Sequence, residues 1–311
     1  MVNLDSKIYV AGHEGMVGSS CWRLLKQKGY KNLIGRSRVE LNLRDQNSVK
    51  EFFSKEKPDV VIDAAAKVGG IMANNSYPYE FLMENLQIQN NLIEFSFSSN
   101  VKKFLFLGSS CIYPKLATQP IKEGSLLSGR LETTNEGYAI AKIAGLKSCE
   151  YINRQYGRDF ISLMPTNLYG PNDNFDLTTS HVIPAMIRKF HEAKSLLSDV
   201  SLWGTGTPMR EFLHVDDLAR AVFHLFRQES KDTLYNVGSG KDISIHDLAL
   251  IVQNVVGHKG KVVWDKSNPD GTPKKLLDIS KISKSGWEPS IELEIGIHKV
   301  YQWYLQSNYN V

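Results

Sequence analysis

The chain has 311 residues, 42% of them hydrophobic, enough to build the core of one large domain or two closely joined ones. Its 37 basic and 33 acidic residues leave a net charge of +4 spread along the whole sequence, which excludes a basic nucleic-acid arm and suits an anionic small molecule better. Three cysteines, Cys21, Cys111 and Cys149, are too few for a disulfide framework, and the start carries no basic, long apolar leader; a soluble, reduced, cytoplasmic protein without a membrane span is expected.

In the first half, short apolar runs alternate with longer amphipathic stretches, the pattern of repeated βαβ units and of a parallel sheet covered on both faces. Strands are predicted at 7–11, 32–35, 59–64, 103–107 and 159–164, and helices at 16–28, 48–55, 78–99 and 138–156. Val17, Cys21, Leu24 and Leu25 fall on one side of the first helix, and Pro78 suits a first-turn position. After Pro165 the rhythm gives way to loops rich in Pro, Gly and Asn, including 167–174 and 204–209. The helical tail 291–305 carries Tyr301, Trp303 and Tyr304, aromatic residues that pack rather than react. The predicted fold class is α/β: a Rossmann-type doubly wound parallel sheet in 1–165 and a smaller α/β substrate-binding lobe in 166–311, with part of 210–240 returning to the first domain.

The first strand runs into Gly12, His13, Glu14, Gly15, Met16, Val17 and Gly18 and then into a helix. The first glycine permits the tight turn, the second lets backbone approach a pyrophosphate, and the third permits close helix-to-strand packing, while the helix N-terminus supplies N–H donors. The spacing GxxGxxG, rather than GxGxxG, resembles that of short-chain dehydrogenases. The second strand ends at Gly35 with Arg36, Ser37 and Arg38, where an NAD site would carry an acidic residue; arginine suits the 2′-phosphate of NADP, so NADP(H) is the expected cofactor.

Ser109 lies at the end of the fourth strand, in the crevice outside the strands' carboxyl ends where open parallel sheets bind ligands. Tyr138 and Lys142, one helical turn apart, share a helix face. A phenol with a pKa of about 10 needs its anion stabilised to exchange protons near neutrality, and the Lys142 ammonium would do that. Cys111 stands where related dehydratases carry carboxylates, and a thiol serves as a base if a cation or polar site brings its pKa down.

From residue 12 to 303 the sequence resembles the GDP-L-fucose synthase family of extended short-chain dehydrogenases/reductases. The matching segments are AGHEGMVG at 11–18, AAKVGGI at 65–71, LGSSCIYPK at 107–115, YAIAKIAG at 138–145, MPTNLYGP at 164–171, SHVIPA at 180–185, WGTGTPMREFLHVDD at 203–217 and PDGTPKKLLD at 269–278. The resemblance implies 3,5-epimerisation of GDP-4-keto-6-deoxy-D-mannose followed by NADPH-dependent reduction at C4. It makes Cys111 the base, His181 the acid on the opposite sugar face, and Tyr138 with Ser109 and Lys142 the reduction site. It also implies NADP contacts from Leu107, Gly108, Ser109, Ser110, Pro165, Thr166, Asn167 and Leu168, with Lys142 and His181, and GDP-sugar contacts from Lys189, Trp203, Arg210 and Asp270. A homodimer is implied, and no metal is needed. His214, Asp216 and Asp217 are read as structural. Glu14 departs from relatives that carry Arg in the glycine turn, which removes one phosphate partner and leaves Arg36 and Arg38. A GDP-colitose synthase would use the same residues; a non-catalytic nucleotide-binding regulator would be expected to lack Tyr138, Lys142 or Cys111, and all three are present.

Overall fold

β1 (Ile8–Ala11) is buried along its whole length and passes through the glycine turn into α1 (Met16–Gln27). β2 (Leu33–Ile34) is followed by α2 (Gln46–Glu56), whose N-terminus is capped by Asp45 accepting from the N–H groups of Asn47 and Ser48. Next come β3 (Val60–Asp63), a short α3 (Ile71–Ser76), α4 (Pro78–Ser98) with Pro78 in its first turn, and β4 (Lys103–Leu107). Short 3-10 turns lead to α5 (Glu136–Tyr156), which ends at Gly157 in the left-handed region, and β5 (Phe160–Pro165) follows. This computed structural model describes residues 2–229, 232–267 and 270–307; Pro269, at the head of one matched segment, lies outside the described residues.

Beyond β5 the chain forms β6 (Asn167–Tyr169), α6 (Val182–Leu196), β7 (Val200–Trp203), β8 (Met209–His214), α7 (Val215–Phe226) and β9 (Leu234–Val237). β10 (Asp242–Ser244), α8 (Ile245–Val256), β11 (Val262–Asp265), β12 (Lys274–Lys275), α9 (Ser280–Lys284) and α10 (Leu293–Gln306) complete it.

The main sheet is parallel throughout in the order β2-β1-β3-β4-β5-β9. Its central strands are largely apolar, with Asp63 closing β3, because helices cover both faces. On one face Val10, Ile62, Leu105 and Leu163 pack against Leu218, Val222 and Leu225 of α7; on the other, Tyr9, Val61, Phe104 and Phe106 meet Phe52, Phe53, Leu92 and Leu146. The chain steps from β1 to β2 on one side and to β3 on the other, so the crevice beyond β1 and β3 is the topological switch point where such sheets take ligands.

In the second half, β8 pairs in parallel with β6 and β12 and antiparallel with β10, while β7 and β11 form a separate parallel pair. Phe175, Ile187, Phe190, Leu248, Val252, Val300 and Tyr304 form a third core beneath them. Tyr301 and Tyr304 of the tail are buried there, and Trp303 stacks on Phe175. Among the described residues no helix is long and apolar enough to cross a membrane.

Candidate active site

At the switch point two glycines are dictated by space. Gly12 has φ 73°, and a Cβ on it would lie 2.8 Å from the carbonyl oxygen of Ala64 after β3. A Cβ on Gly18 would lie 2.1 Å from the carbonyl oxygen of Gly12, so only glycine lets α1 start this close to the strand ends. Gly15 occupies the N-cap with no side-chain cap among the described residues, leaving the first N–H groups of α1 for an outside acceptor. These features fit the pyrophosphate of a dinucleotide. Gly18→Ala is expected to destabilise the protein by about 1–3 kcal/mol through overpacking and to weaken NADPH binding; an unchanged melting temperature together with unchanged NADPH affinity would refute the packing role.

The His13 ring packs on Trp22 with centroids 5.3 Å apart, and Gly35 lies so close that a Cβ there would stand 2.5 Å from it. His13 thereby fixes where the end of β2 delivers Arg36 and Arg38. The two arginines differ: Arg36 donates to Glu56 Oε1 at 2.8 Å, whereas Arg38 is exposed and makes no hydrogen bond or ion pair among the described residues. Glu14 is exposed at the mouth of the turn.

β4 ends at Leu107, and Ser109 caps the 3-10 turn Ser110–Ile112, its Oγ accepting the Cys111 N–H at 3.3 Å. α5 brings up Tyr138 and Lys142 on one face. The buried Lys142 donates through Nζ to the Leu107 carbonyl at 2.9 Å and lies 5.8 Å from the centroid of the Tyr138 ring. Burial lowers the Lys142 pKa, while the negative charge of Asp63, and of Cys111 once ionised, acts upward. Burial pushes the Tyr138 phenol well above its ordinary range, and Cys111 and Asp63 push the same way, so the free protein holds it protonated.

Cys111 is buried, and burial raises its pKa against the pull of Lys275, the Ser109 hydroxyl and Lys142. The sequence calls for a thiol brought down by cations; the structure supplies the cations, but in the free protein desolvation outweighs them.

The other site residues are gathered by loops. Asn85 of α4 clamps the backbone of Lys67, accepting its N–H at 2.9 Å and donating to its carbonyl at 3.0 Å. Further along that loop the Gly70 N–H donates to the Thr179 carbonyl at 3.0 Å, which draws the segment before α6 toward the crevice. His181 is the N-cap residue of α6; it is open to solvent yet walled by protein, and this desolvation lowers its pKa. Ile121 accepts from the Asp278 N–H and donates to Leu276, which holds the strand after Pro273 against the first half and sets Lys275 beside Cys111. Thr166 and Asn167 donate to the carbonyl of Glu211 in β8.

Lys189, Trp203, Arg210 and Asp270 form one chain of neighbours. Lys189 Nζ lies 5.7 Å from the centroid of the exposed Trp203 ring, and Asp270 accepts from the Thr205 N–H and hydroxyl at 2.7 and 2.8 Å. Among the described residues Arg210 hydrogen-bonds only its neighbour's carbonyl, and desolvation lowers its pKa. The loop at Gly271 approaches both Arg210 and Ile71 of α3, so this cluster faces the first half.

His214 is buried, and its Nδ1 accepts the Asp216 N–H to cap α7. Asp216 accepts from Ser20 and Arg23 of α1, and Asp217 accepts the N–H groups of Ser290 and Ile291. All three are engaged in joining elements, and among the described residues no cluster of three or more His, Cys, Asp or Glu side chains could hold a metal ion.

Sequence reasoning passed over Asp63, Lys275 and Glu211. Glu211 is buried and accepts the N–H groups of Gly240 and Leu277, tying β8 to the segments on either side. For Asp63 the available signal was a lone carboxylate closing an aliphatic strand.

Fold and site together define a dinucleotide-dependent enzyme: the chain belongs to the NAD dependent epimerase/dehydratase family, whose model matches residues 8–238. It is 56% identical over 308 residues to the putative GDP-L-fucose synthase 2 of Arabidopsis thaliana, covering 99% of this chain and 94% of that one. It is 54% identical over 311 residues to the GDP-L-fucose synthase of Escherichia coli K12, with 97% of each covered. Among solved structures it resembles MlghC, the GDP-mannoheptose C4 reductase from Campylobacter jejuni with NADP bound, at TM-score 0.91 and 41% identity over 98% of this chain and 99% of that one.

Proposed function

We propose that the chain converts GDP-4-keto-6-deoxy-D-mannose to GDP-L-fucose by epimerisation at C3 and C5 and NADPH-dependent reduction at C4. The observation that carries this reading is the grouping of the Cys111 thiol with Ser109, Tyr138 and Lys142 beyond β4, in a chain more than half identical to GDP-L-fucose synthases.

The C4 ketone acidifies the hydrogens on C3 and C5. Cys111 takes such a proton as its thiolate, and the Tyr138 and Ser109 hydroxyls hold the enolate oxygen that results. His181 returns a proton to the opposite face of the ring, which inverts the centre. NADPH, when bound, supplies hydride to C4. Tyr138 then gives its phenolic proton to the alkoxide oxygen, and Lys142 steadies the phenolate left behind.

Lys189 and Arg210 offer positive charge to the GDP pyrophosphate, Trp203 an aromatic face, and Asp270 orders the loop beside them. Backbone of Leu107, Gly108, Ser109 and Ser110 and of Pro165, Thr166, Asn167 and Leu168 lines the cofactor crevice in a division of labour between 1–165 and 166–311. The assembly we infer is a cytoplasmic homodimer joined through the outer faces of α4 and α5, where Tyr79, Ile140 and Tyr151 are exposed.

Incubation with NADPH and GDP-4-keto-6-deoxymannose, followed by NMR of the product, tests the reading: GDP-L-fucose supports it. A strong preference for the substrate lacking the 3-hydroxyl would assign a GDP-colitose synthase instead. Because Arg36 is engaged by Glu56, Arg38→Ala should raise the KM for NADPH about tenfold, on the scale of one lost charge-assisted phosphate contact. Arg36→Ala should change it less; the reverse order would move the phosphate contact to Arg36.

A further inference from the structure

β3 places three aliphatic residues and then Asp63, whose side chain is buried at 1% exposure. Its parallel register sets Asp63 beside Phe106, so both side chains leave the sheet on the same face. Lys142 Nζ lies on that face, 4.8 Å from the centroid of the Phe106 ring. Asp63 Oδ1 accepts the Ala65 N–H at 3.2 Å, but the buried Oδ2 has no hydrogen-bond partner among the described residues. A buried carboxylate in that condition is unfavourable unless a cation faces it.

The surroundings identify that cation. Ala11 of β1 stands opposite Asp63 and Tyr9 shares its sheet face, with Arg36 behind Tyr9 already paired to Glu56; Cys111 on the turn after β4 acts on Lys142 and has Lys275 beside it; Tyr138 and Cys149 share α5 with Lys142. Tyr9, Tyr138 and Cys149 are all pushed upward by burial and remain neutral, which leaves Lys142 as the charge acting on Asp63.

We propose that Asp63 is a positioning residue for the C4 reduction, a buried counter-ion that keeps the Lys142 ammonium charged and the Tyr138 phenol in its proton-donating form. The proposal rests on the reductase reading above. Burial holds Asp63 up at about 6, with Lys142 and the Ala65 N–H pulling down, so it is anionic at neutral pH. Its negative charge favours the protonated state of both Lys142 and Tyr138, and protonation of Asp63 below about pH 6 removes that support.

The test compares pH profiles of kcat/KM for NADPH consumption in the parent protein and Asp63→Asn. The alkaline limb of Asp63→Asn is expected about one pH unit lower, on the scale of a lost nearby charge, and the two profiles should converge below about pH 6. Asp63→Ser, which keeps an oxygen for the Ala65 N–H, should shift in the same direction and serves if the Asn variant does not fold.

A second readout needs neither substrate nor cofactor: NMR titration of isotope-labelled lysine side chains, the Lys142 signal assigned with Lys142→Arg. Its midpoint should fall in the Asp63 variants. Superimposed alkaline limbs, or a Lys142 signal that titrates identically with and without the carboxylate, would overturn the proposal. A parent protein that consumes no NADPH with the keto-sugar defeats the reductase reading itself, while the titration still decides what Asp63 does to Lys142.

Discussion

Tyr138→Phe should slow reduction at C4 by two or more orders of magnitude, about 2.7 kcal/mol in barrier height. The phenol is poised to give a proton: burial, with the negative charge of Asp63 acting the same way, holds it neutral, so the acid form dominates across the physiological range. Phenylalanine keeps the ring and its edge-on contact with Phe81 while removing the proton. Cofactor affinity should therefore change little while turnover collapses. Near-normal NADPH oxidation by the variant would remove Tyr138 from its role, and an equal loss in cofactor affinity would mark the change as structural.

Cys111→Ser should cut deuterium exchange at C3 and C5 in heavy water by about a hundredfold or more, the scale of losing a positioned base, and should leave NADPH affinity within about twofold. A serine hydroxyl fills nearly the same volume but ionises far less readily. The pH dependence has a definite sign. Burial raises the Cys111 pKa above the ordinary thiol value, so at neutral pH the thiolate is the minor form. Exchange in the parent should accordingly rise with pH, up to about tenfold per unit, until the thiol ionises. Lys275→Met, which removes the cation acting most strongly against burial, should move that rise to higher pH; a pH-independent exchange rate would assign proton removal to another group.

The sheet was readable from local pattern because its strands are short apolar runs and the helices between them repeat their apolar residues every three or four positions. β4 falls at the positions the sequence indicates, and α2 begins two residues earlier than expected because Asp45 supplies the cap. The short α3 escaped prediction: its sequence IMANNS has no apolar periodicity and follows two glycines that read as a turn. Ser109, Tyr138 and Lys142 were linked by spacing along one strand end and one helix face; in the structure Lys142 lies 5.8 Å from the Tyr138 ring centroid and donates to Leu107, two residues before Ser109.

Asp63 and Lys275 could not be found that way. Lys275 reaches Cys111 only because β12 pairs with β8 and the following residues bridge to Ile121, more than a hundred positions away in sequence. Asp63 gains meaning only when β3 lies beside β4 under Lys142. The rise in the Cys111 pKa was likewise invisible, since it depends on how completely the turn after β4 is covered.

The most direct measurement is conversion of GDP-4-keto-6-deoxymannose with NADPH in heavy water, with the isolated product examined by NMR. One site performing two inversions and a reduction predicts GDP-L-fucose with deuterium at C3 and C5 and protium at C4. A reduced sugar that keeps the mannose configuration at C3 and C5 without deuterium there would contradict the account and leave a simple 4-keto reductase.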